Sequence, residues 1–438
     1  MLKLWSKAIV GGCLLVAAAT TQAGQEPITV IKAARVFDSV HGTMLEPGVV
    51  VIQGDHISAV GANAAVSKQA HVIELNDATI LPGFIDAHVH LTQESSDNWY
   101  LDFYQDAMRF PAEQALYGAH YASVTLRAGF TTVRDVGSHD FIARSLRNGI
   151  NAGQVEGPRM LVSNYAIGST GGHADDAPYP PERIKLSGPA EGVCNGADQC
   201  REAVRLQMKF GADVIKMIPS GGVLSLSDPV DNVQMTQEEM NATVAEAHAW
   251  GRKVAAHCHG DRAAKMAIAA GVDSIEHGSF LQDDTLQLMK DKHVVLVPTI
   301  FAGYYVGIHA DKFPPAIQPK ARAAAAAIQQ MFQRAAKIGV PVALGTDAAV
   351  EPHGQNAFEF TLMVNNGFTP TQALQAGTLN GAKLLGLDAK LGSLEPGKWA
   401  DLVAVKGNPL KDINLTQHPV LVIKNGQIIV GDTRVNTK

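Results

Sequence analysis

The chain has 438 residues, room for one large domain plus a smaller one. Hydrophobic residues make up 46% and aromatics only 6%, so the core is aliphatic. The net charge is −6 and no block is rich in Lys or Arg, which argues against nucleic acid or an acidic membrane surface as partner.

Residues 1–23 read as an export signal. Lys3 and Lys7 form a basic start, and Ile9–Ala19 is an apolar run too short for a stable span. Thr21-Gln22-Ala23 offers a small-residue cleavage site before Gly24, whereas Cys13 lies too early in the run for a lipoprotein site. No later segment is apolar enough to cross a membrane. The mature protein is therefore expected outside the cytoplasm, in the periplasm if the source is Gram-negative.

Residues 24–80 alternate apolar and polar positions between Gly, Asp and Asn, as in "TVIKAARVFDS" and "GVVVIQGDHISAVG". That is the pattern of short half-buried strands. Residues 388–438 return to it in "GKWADLVAVKGNP" and "PVLVIKNGQIIVG". Each end is too short to form a good core alone, so the two are expected to pair into one small β-sandwich.

Between them, residues 81–387 alternate buried strands with helical periodicity. The strand candidates are "TILPGFIDAHVH", "TTVRDVG", "RMLVSN", "ADVIKMIPSGG", "KVAAHCHG", "SIEHGSF", "VVLVPTI" and "VPVALGTDAA". Helices are expected over Ala112–Ala128, Cys200–Phe210, Thr236–Trp250 and Ala321–Ile338, among others. Eight such units in a row predict an α/β fold, a (β/α)8 TIM barrel, with the site at the C-terminal ends of the strands. Cys194 and Cys200 bracket a short turn-like loop and can form a local disulfide in an oxidising compartment; two surface thiols are the plainer alternative. Cys258 reads as barrel packing.

The polar strand ends form one constellation: His88 and His90, Lys216, His257 and His259, His277, and Asp347. Residues two apart on a strand point the same way, so each His-x-His presents two imidazoles together. Imidazole and carboxylate suit zinc and similar divalent ions. Lys216 sits in an apolar strand, where an ammonium is costly and the pKa should fall. A neutral amine can take up carbon dioxide, and the resulting carbamate can bridge two metals. Plainer readings exist for each residue: hydrogen-bonded core histidines, a turn residue at Asp347, a salt bridge from His277 to Glu276, or an ion-paired lysine. His173, on the Gly-rich loop "GSTGGHADD", is a candidate substrate contact. Arg134 beside Asp135 reads as an internal ion pair or a substrate group, and Tyr304 and Tyr305 as packing or pocket wall.

"GFIDAHVH", the Lys of "ADVIK", "AAHCHG", "SIEHG", "LGTDA" and "GSLEPGKWADLV" together resemble the amidohydrolase superfamily, over nearly the whole mature chain. The resemblance implies a metal-dependent hydrolase on a (β/α)8 barrel with a small β-sandwich. It implies that His88, His90 and Asp347 bind one metal and that His257 and His277 bind a second, with carboxylated Lys216 as the bridge and zinc as the default ion. Asp347 would act as general base and then acid, His173 would help to hold the oxyanion, and His259 would orient a ligand or touch substrate. The nearest resemblance is to imidazolonepropionase-like and prolidase-like enzymes, a group that includes enzymes splitting ochratoxin A at its phenylalanine amide. It further implies a homo-oligomer, with an octamer as one form. Expected substrates are N-acyl amino acids and dipeptides, ochratoxin A foremost; a prolidase-type dipeptidase or a cyclic amidohydrolase is the alternative. Deamination is disfavoured, because the place three residues after His257, where such enzymes carry Glu, is Gly260. A metal carrier would need the ligands but no base beside an open metal position.

Overall fold

In the computed structural model the described residues are 27–61, 64, 70–96, 98–175, 185–226 and 228–431. The expected signal peptide, residues 1–23, lies outside them.

Seven short strands come first: β1 (Ile28–Ala33), β2 (Arg35–Asp38), β3 (Thr43–Leu45), β4 (Gly48–Gln53), β5 (His56–Val60), β6 (His71–Glu74) and β7 (Ala78–Pro82). Seven parallel strands follow: β8 (Phe84–Val89), β9 (Phe130–Asp135), β10 (Arg159–Val162), β11 (Ile215–Met217), β12 (Val254–Cys258), β13 (Ser274–His277) and β14 (Val295–Val297). The last three are β15 (Leu402–Lys406), β16 (Pro419–Lys424) and β17 (Gln427–Val430).

The two chain ends meet as expected. One flanking sheet has the order β5-β4-β1-β6 and the other β17-β16-β15-β7-β2-β3. β7 pairs antiparallel with β15, Pro82 opposite Leu402. Ile31, Val50 and Ile52 of the first sheet share one apolar core with Ile80, Leu402 and Ile423 of the second.

The run read as a single strand, "TILPGFIDAHVH", is two strands in different sheets. The break is at Gly83, whose N–H donates to Asp401 O at 2.9 Å, while Phe84 N turns to Gly129 O at 3.0 Å. A Cβ on Gly83 would lie 2.2 Å from Thr131 Oγ1, so only glycine lets the chain pass this close.

β8-β9-β10 and β11-β12-β13-β14 form two parallel sheets. Isolated parallel bridges continue the circuit from Ile167 to Met217, from Leu296 to Val342 and from Val89 to Ala348. The expected eighth strand is therefore not a ladder strand. It is held by single bridges and by bonds such as Ala87 N to Leu344 O at 2.8 Å and Asp347 N to His88 O at 2.7 Å. Two residues explain the irregularity. A Cβ on Gly345 would lie 2.3 Å from Val297 Cγ1, and Asp347 has φ 72°, outside the extended region.

The four expected helices appear as Pro111–Arg127, Ala197–Lys209, Gln237–Ala249 and Gln318–Ile338. Thr236 caps the third by accepting from Glu239 N, and Glu239 reaches back to Thr236 N at 2.8 Å. Cys194 and Cys200 are bridged, with Cα atoms 5.0 Å apart, and Cys258 is a buried free thiol. Among the described residues no helix is long and apolar enough to cross a membrane.

Replacing Gly83 by Val should overpack this crossing and cost about 2 kcal/mol of stability. Denaturant titration measures it. An unchanged midpoint would show that Thr131 gives way freely.

Candidate metal centre

His88 and His90 project from the end of β8 to the same side. Each Nδ1 is engaged, that of His88 with Glu276 Oε2 at 2.7 Å and that of His90 with Gly137 O at 2.9 Å. Both Nε2 atoms then face Asp347 Oδ1, at 3.3 and 3.2 Å. Burial alone would raise the Asp347 carboxyl, but the charge of His88 and the hydrogen bonds of His88 and His90 hold it well below the usual range. His90 moves the opposite way: burial is outweighed by its bond to Asp347, and its pKa rises. Lys216 Nζ lies 3.5 Å from His88 Nε2. Burial pulls its pKa down to about 8, against the pull of Glu276 and Asp347, so part of it is neutral amine near neutral pH.

A second group comes from β12 and β13. The ring of His257 lies 4.8 Å from that of His259 and 4.6 Å from that of His277, and the last two stack at 4.9 Å. Each ring is oriented through one nitrogen: His257 Nε2 to Gly221 O at 3.2 Å, His259 Nδ1 to Ser279 Oγ at 2.9 Å and His277 Nδ1 to Thr299 Oγ1 at 2.7 Å. Burial depresses all three pKa values, that of His259 to about 3. Neutral imidazoles are the metal-binding form.

The two triplets, His88/His90/Asp347 and His257/His259/His277, each have ligand-capable atoms within 4.8 Å of one another. In the second, three neutral rings aim nitrogen lone pairs at a shared space, and a divalent cation satisfies them where a proton cannot. The donor set therefore fits metal. Both triplets look onto a cavity of about 360 Å³, together with Lys216 and His173. The His173 ring is 4.7 Å from that of His257, its Nδ1 is 2.5 Å from Ser225 Oγ, and burial lowers its pKa to about 4. Val223, Leu224, Val306 and Ile328 make an apolar wall, and Ser138, His139 and Tyr165 a polar one. The last three were missed in the sequence, although "VGSHD" and "SNYA" follow strand ends as plainly as the histidines do.

Arg134, read as an internal ion pair or a substrate group, and Tyr304 and Tyr305, read as packing or pocket wall, lie off the lining of the main cavity. Arg134 is buried and engaged: Nε donates to Ala87 O at 2.6 Å, Nη1 to Ser274 Oγ at 3.2 Å, and Nη2 to Glu276 at 2.9 and 3.0 Å. It lies behind His88 and off the cavity wall. Tyr304 packs on Phe358, ring to ring at 5.9 Å. Tyr305 lines a neighbouring cavity of about 150 Å³, because Ala302, Gly303 and Val306 form the face of that helix turned to the main one. Glu276 is the other surprise. It serves His88 and Arg134 and not its neighbour His277, whose φ of 65° turns the ring into the site at the strand end.

Glu276→Gln keeps the volume but leaves Arg134 without its counter-charge and weakens the hold on His88. A stability loss of about 3 kcal/mol and a 10–100-fold weaker metal affinity are expected, measured by denaturation and chelator competition. Unchanged metal affinity would show that Glu276 does not orient His88.

The family model described as "Amidohydrolase family" matches residues 79–429. An ochratoxinase from Aspergillus niger is 32% identical over 440 residues, covering 95% of this chain and 89% of the relative. An imidazolonepropionase from Erwinia tasmaniensis is 24% identical over 82% of this chain and 87% of its own. A crystal structure of a Xaa-Pro dipeptidase with bound methionine in the active site superposes with TM-score 0.87 at 39% identity, covering 92% of this chain and 100% of that one. By family match and by relatives spanning nearly its whole length, the chain belongs to the amidohydrolase family and is a hydrolase.

Proposed function

We propose that the chain is a binuclear metal-dependent amide hydrolase that cleaves N-acyl amino acids and dipeptides. The leading substrate is ochratoxin A, split into ochratoxin α and L-phenylalanine. One observation carries the reading: two triplets of metal-capable side chains face one cavity, and both interact with the charge of Lys216. The names of two relatives, ochratoxinase and Xaa-Pro dipeptidase, support this substrate class. Cleavage of Xaa-Pro dipeptides is the runner-up. The domain reading is a (β/α)8 barrel over residues 81–387 with a β-sandwich from residues 24–80 and 388–438.

His88, His90 and Asp347 would hold one divalent ion and His257 and His277 the other, zinc being the default. Lys216 amine would take up carbon dioxide, release a proton and present a carboxylate to both. Once bound, the two ions supply polarisation of the scissile carbonyl and a more acidic water. Asp347 accepts the proton of the attacking water and returns it to the leaving amine. His173, with Ser225 Oγ on its Nδ1, presents Nε2–H to the developing oxyanion. His259, held through Nδ1 by Ser279 Oγ and in the same triplet, is the alternative ligand to His257 or a contact to substrate. The polar wall of Ser138, His139 and Tyr165 receives the substrate carboxylate and the apolar wall its side chain. The protein is read as exported and homo-oligomeric.

Metal analysis of active protein should find about two divalent ions per chain, and chelators should abolish activity. Active protein without metal would end the reading. Lys216→Ala should lose most activity, in part restored by short carboxylic acids; full activity would make the site mononuclear or bridged by another residue. Ochratoxin A and N-acyl-phenylalanine should be hydrolysed, and the corresponding methyl esters poorly. Metal-loaded protein that ignores both but opens imidazolone or hydantoin rings would replace this substrate class by cyclic amides.

A further inference from the structure

Lys320 is the third residue of the helix Gln318–Ile338. A cation there faces the positive end of the helix dipole, so the helix itself gains nothing from it. Its partners lie in another segment. Nζ donates to Gly222 O at 3.2 Å, to Asp228 O at 3.0 Å and to Ser225 O. An ammonium has three donors, and one loop takes all three.

The three residues held in this way are the ones that fix His173. A Cβ on Gly222 would lie 2.2 Å from Cε1 of the imidazole, 2.3 Å from Nδ1 and 2.4 Å from Nε2, so the ring rests on bare backbone. Ser225 Oγ meets Nδ1 at 2.5 Å. Asp228 acts through Gln234: Asp228 Oδ2 accepts from Gln234 Nε2 at 2.7 Å, and Gln234 Oε1 accepts from His173 N at 2.9 Å. Asp228 Oδ2 also accepts from Gly222 N at 3.1 Å, which closes the loop on itself.

The placement agrees. Ala324 and Ile328, four and eight residues after Lys320 on the same helix face, line the main cavity, as does Val223 of the loop. Val223 and Val230 share an apolar cluster with Ile317, Ala321 and Ala324. Apolar contact of this kind is non-directional and leaves the loop free to shift. Three hydrogen bonds to named carbonyls fix its position, and a lost partner leaves them unpaired.

We infer that Lys320 is a positioning residue for the reaction: by clamping Gly222, Ser225 and Asp228 it aims Nε2 of His173 into the cavity. The inference rests on the reading of His173 as the donor to the oxyanion.

The test is Lys320→Met, which keeps the length of the side chain and removes its donors. The control is Lys337→Met, exposed near the far end of the same helix. On metal-loaded protein, hydrogen exchange over residues 219–234 should quicken about tenfold or more in Lys320→Met and stay native in the control. The kcat on any amide that the native protein hydrolyses should fall roughly ten- to a hundredfold, with KM changing less. In a His173→Asn background the same substitution should cost nothing further, because the two residues act as one unit. Unchanged exchange overturns the inference, and so does a loss of kcat that simply adds to that of His173→Asn. A lysine that only stabilises the fold would give that additive result. A His173→Asn enzyme as fast as the native one overturns the inference together with the oxyanion role. Since any hydrolysed amide serves, failure of the ochratoxin A assignment leaves the test standing. If Lys320→Met does not fold, Lys320→Gln, with two donors in place of three, decides by the same readings.

Discussion

A carboxylate shut away from water has to find its counter-charge inside the protein. Glu276 finds it in Arg134, and the consequences spread through the parallel strands. Arg134 comes from β9, Glu276 from β13, and the Nδ1 of His88 that completes the set from β8. Arg134 also holds the Ala87 carbonyl one residue before His88. Three strands are thereby clamped to one another below the site, and the rotation and tautomer of His88 follow. With Nδ1 committed to Glu276, Nε2 is the nitrogen presented to Asp347 and Lys216. The site's geometry is thus set from beneath by charges that never touch the cavity.

Strand alternation supplies most of the remaining order, and its local failures supply the rest. His88 and His90 need only the two-residue period of an extended strand. Glu276 and His277 are adjacent and would ordinarily point to opposite sides. A left-handed backbone at His277, φ 65°, lets one serve the foundation and the other the cavity. Asp347, φ 72°, and Thr299, φ 49°, are bent in the same sense where their strands run out. Such conformations are costly for residues with a Cβ and persist where the surroundings hold them.

This division explains what could be read from the chain. The His-x-His pairs, Lys216 in its apolar strand and Asp347 after "ALGT" carry their signal within a few residues, and the structure brings them together. Arg134 was legible as charged and inward but not as to its partner, because Glu276 is far away in sequence and only the closed ring places it opposite. Tyr304 and Tyr305 were legible as aromatic positions after a strand. Which side of the helix faces the cavity depends on how Ile300–Ile308 docks, and small residues at Ala302 and Gly303 decide it. The split at Gly83 is written in contacts with Thr131 and Asp401 rather than in the apolar run itself.

The pairing of β7 with β15 also orders events in time. Pro82 is synthesised long before Leu402, and everything that forms the parallel ring is made between them. Until β15 arrives, β7 has an open edge on the side that the finished sheet occupies, and the flanking core lacks half of its aliphatic residues. Such late, long-range closure is slow compared with the local strand–helix pairings of the ring. A ribosome-bound chain is therefore left with sticky, unfinished strands at its leading end, the kind of segment that chaperones hold.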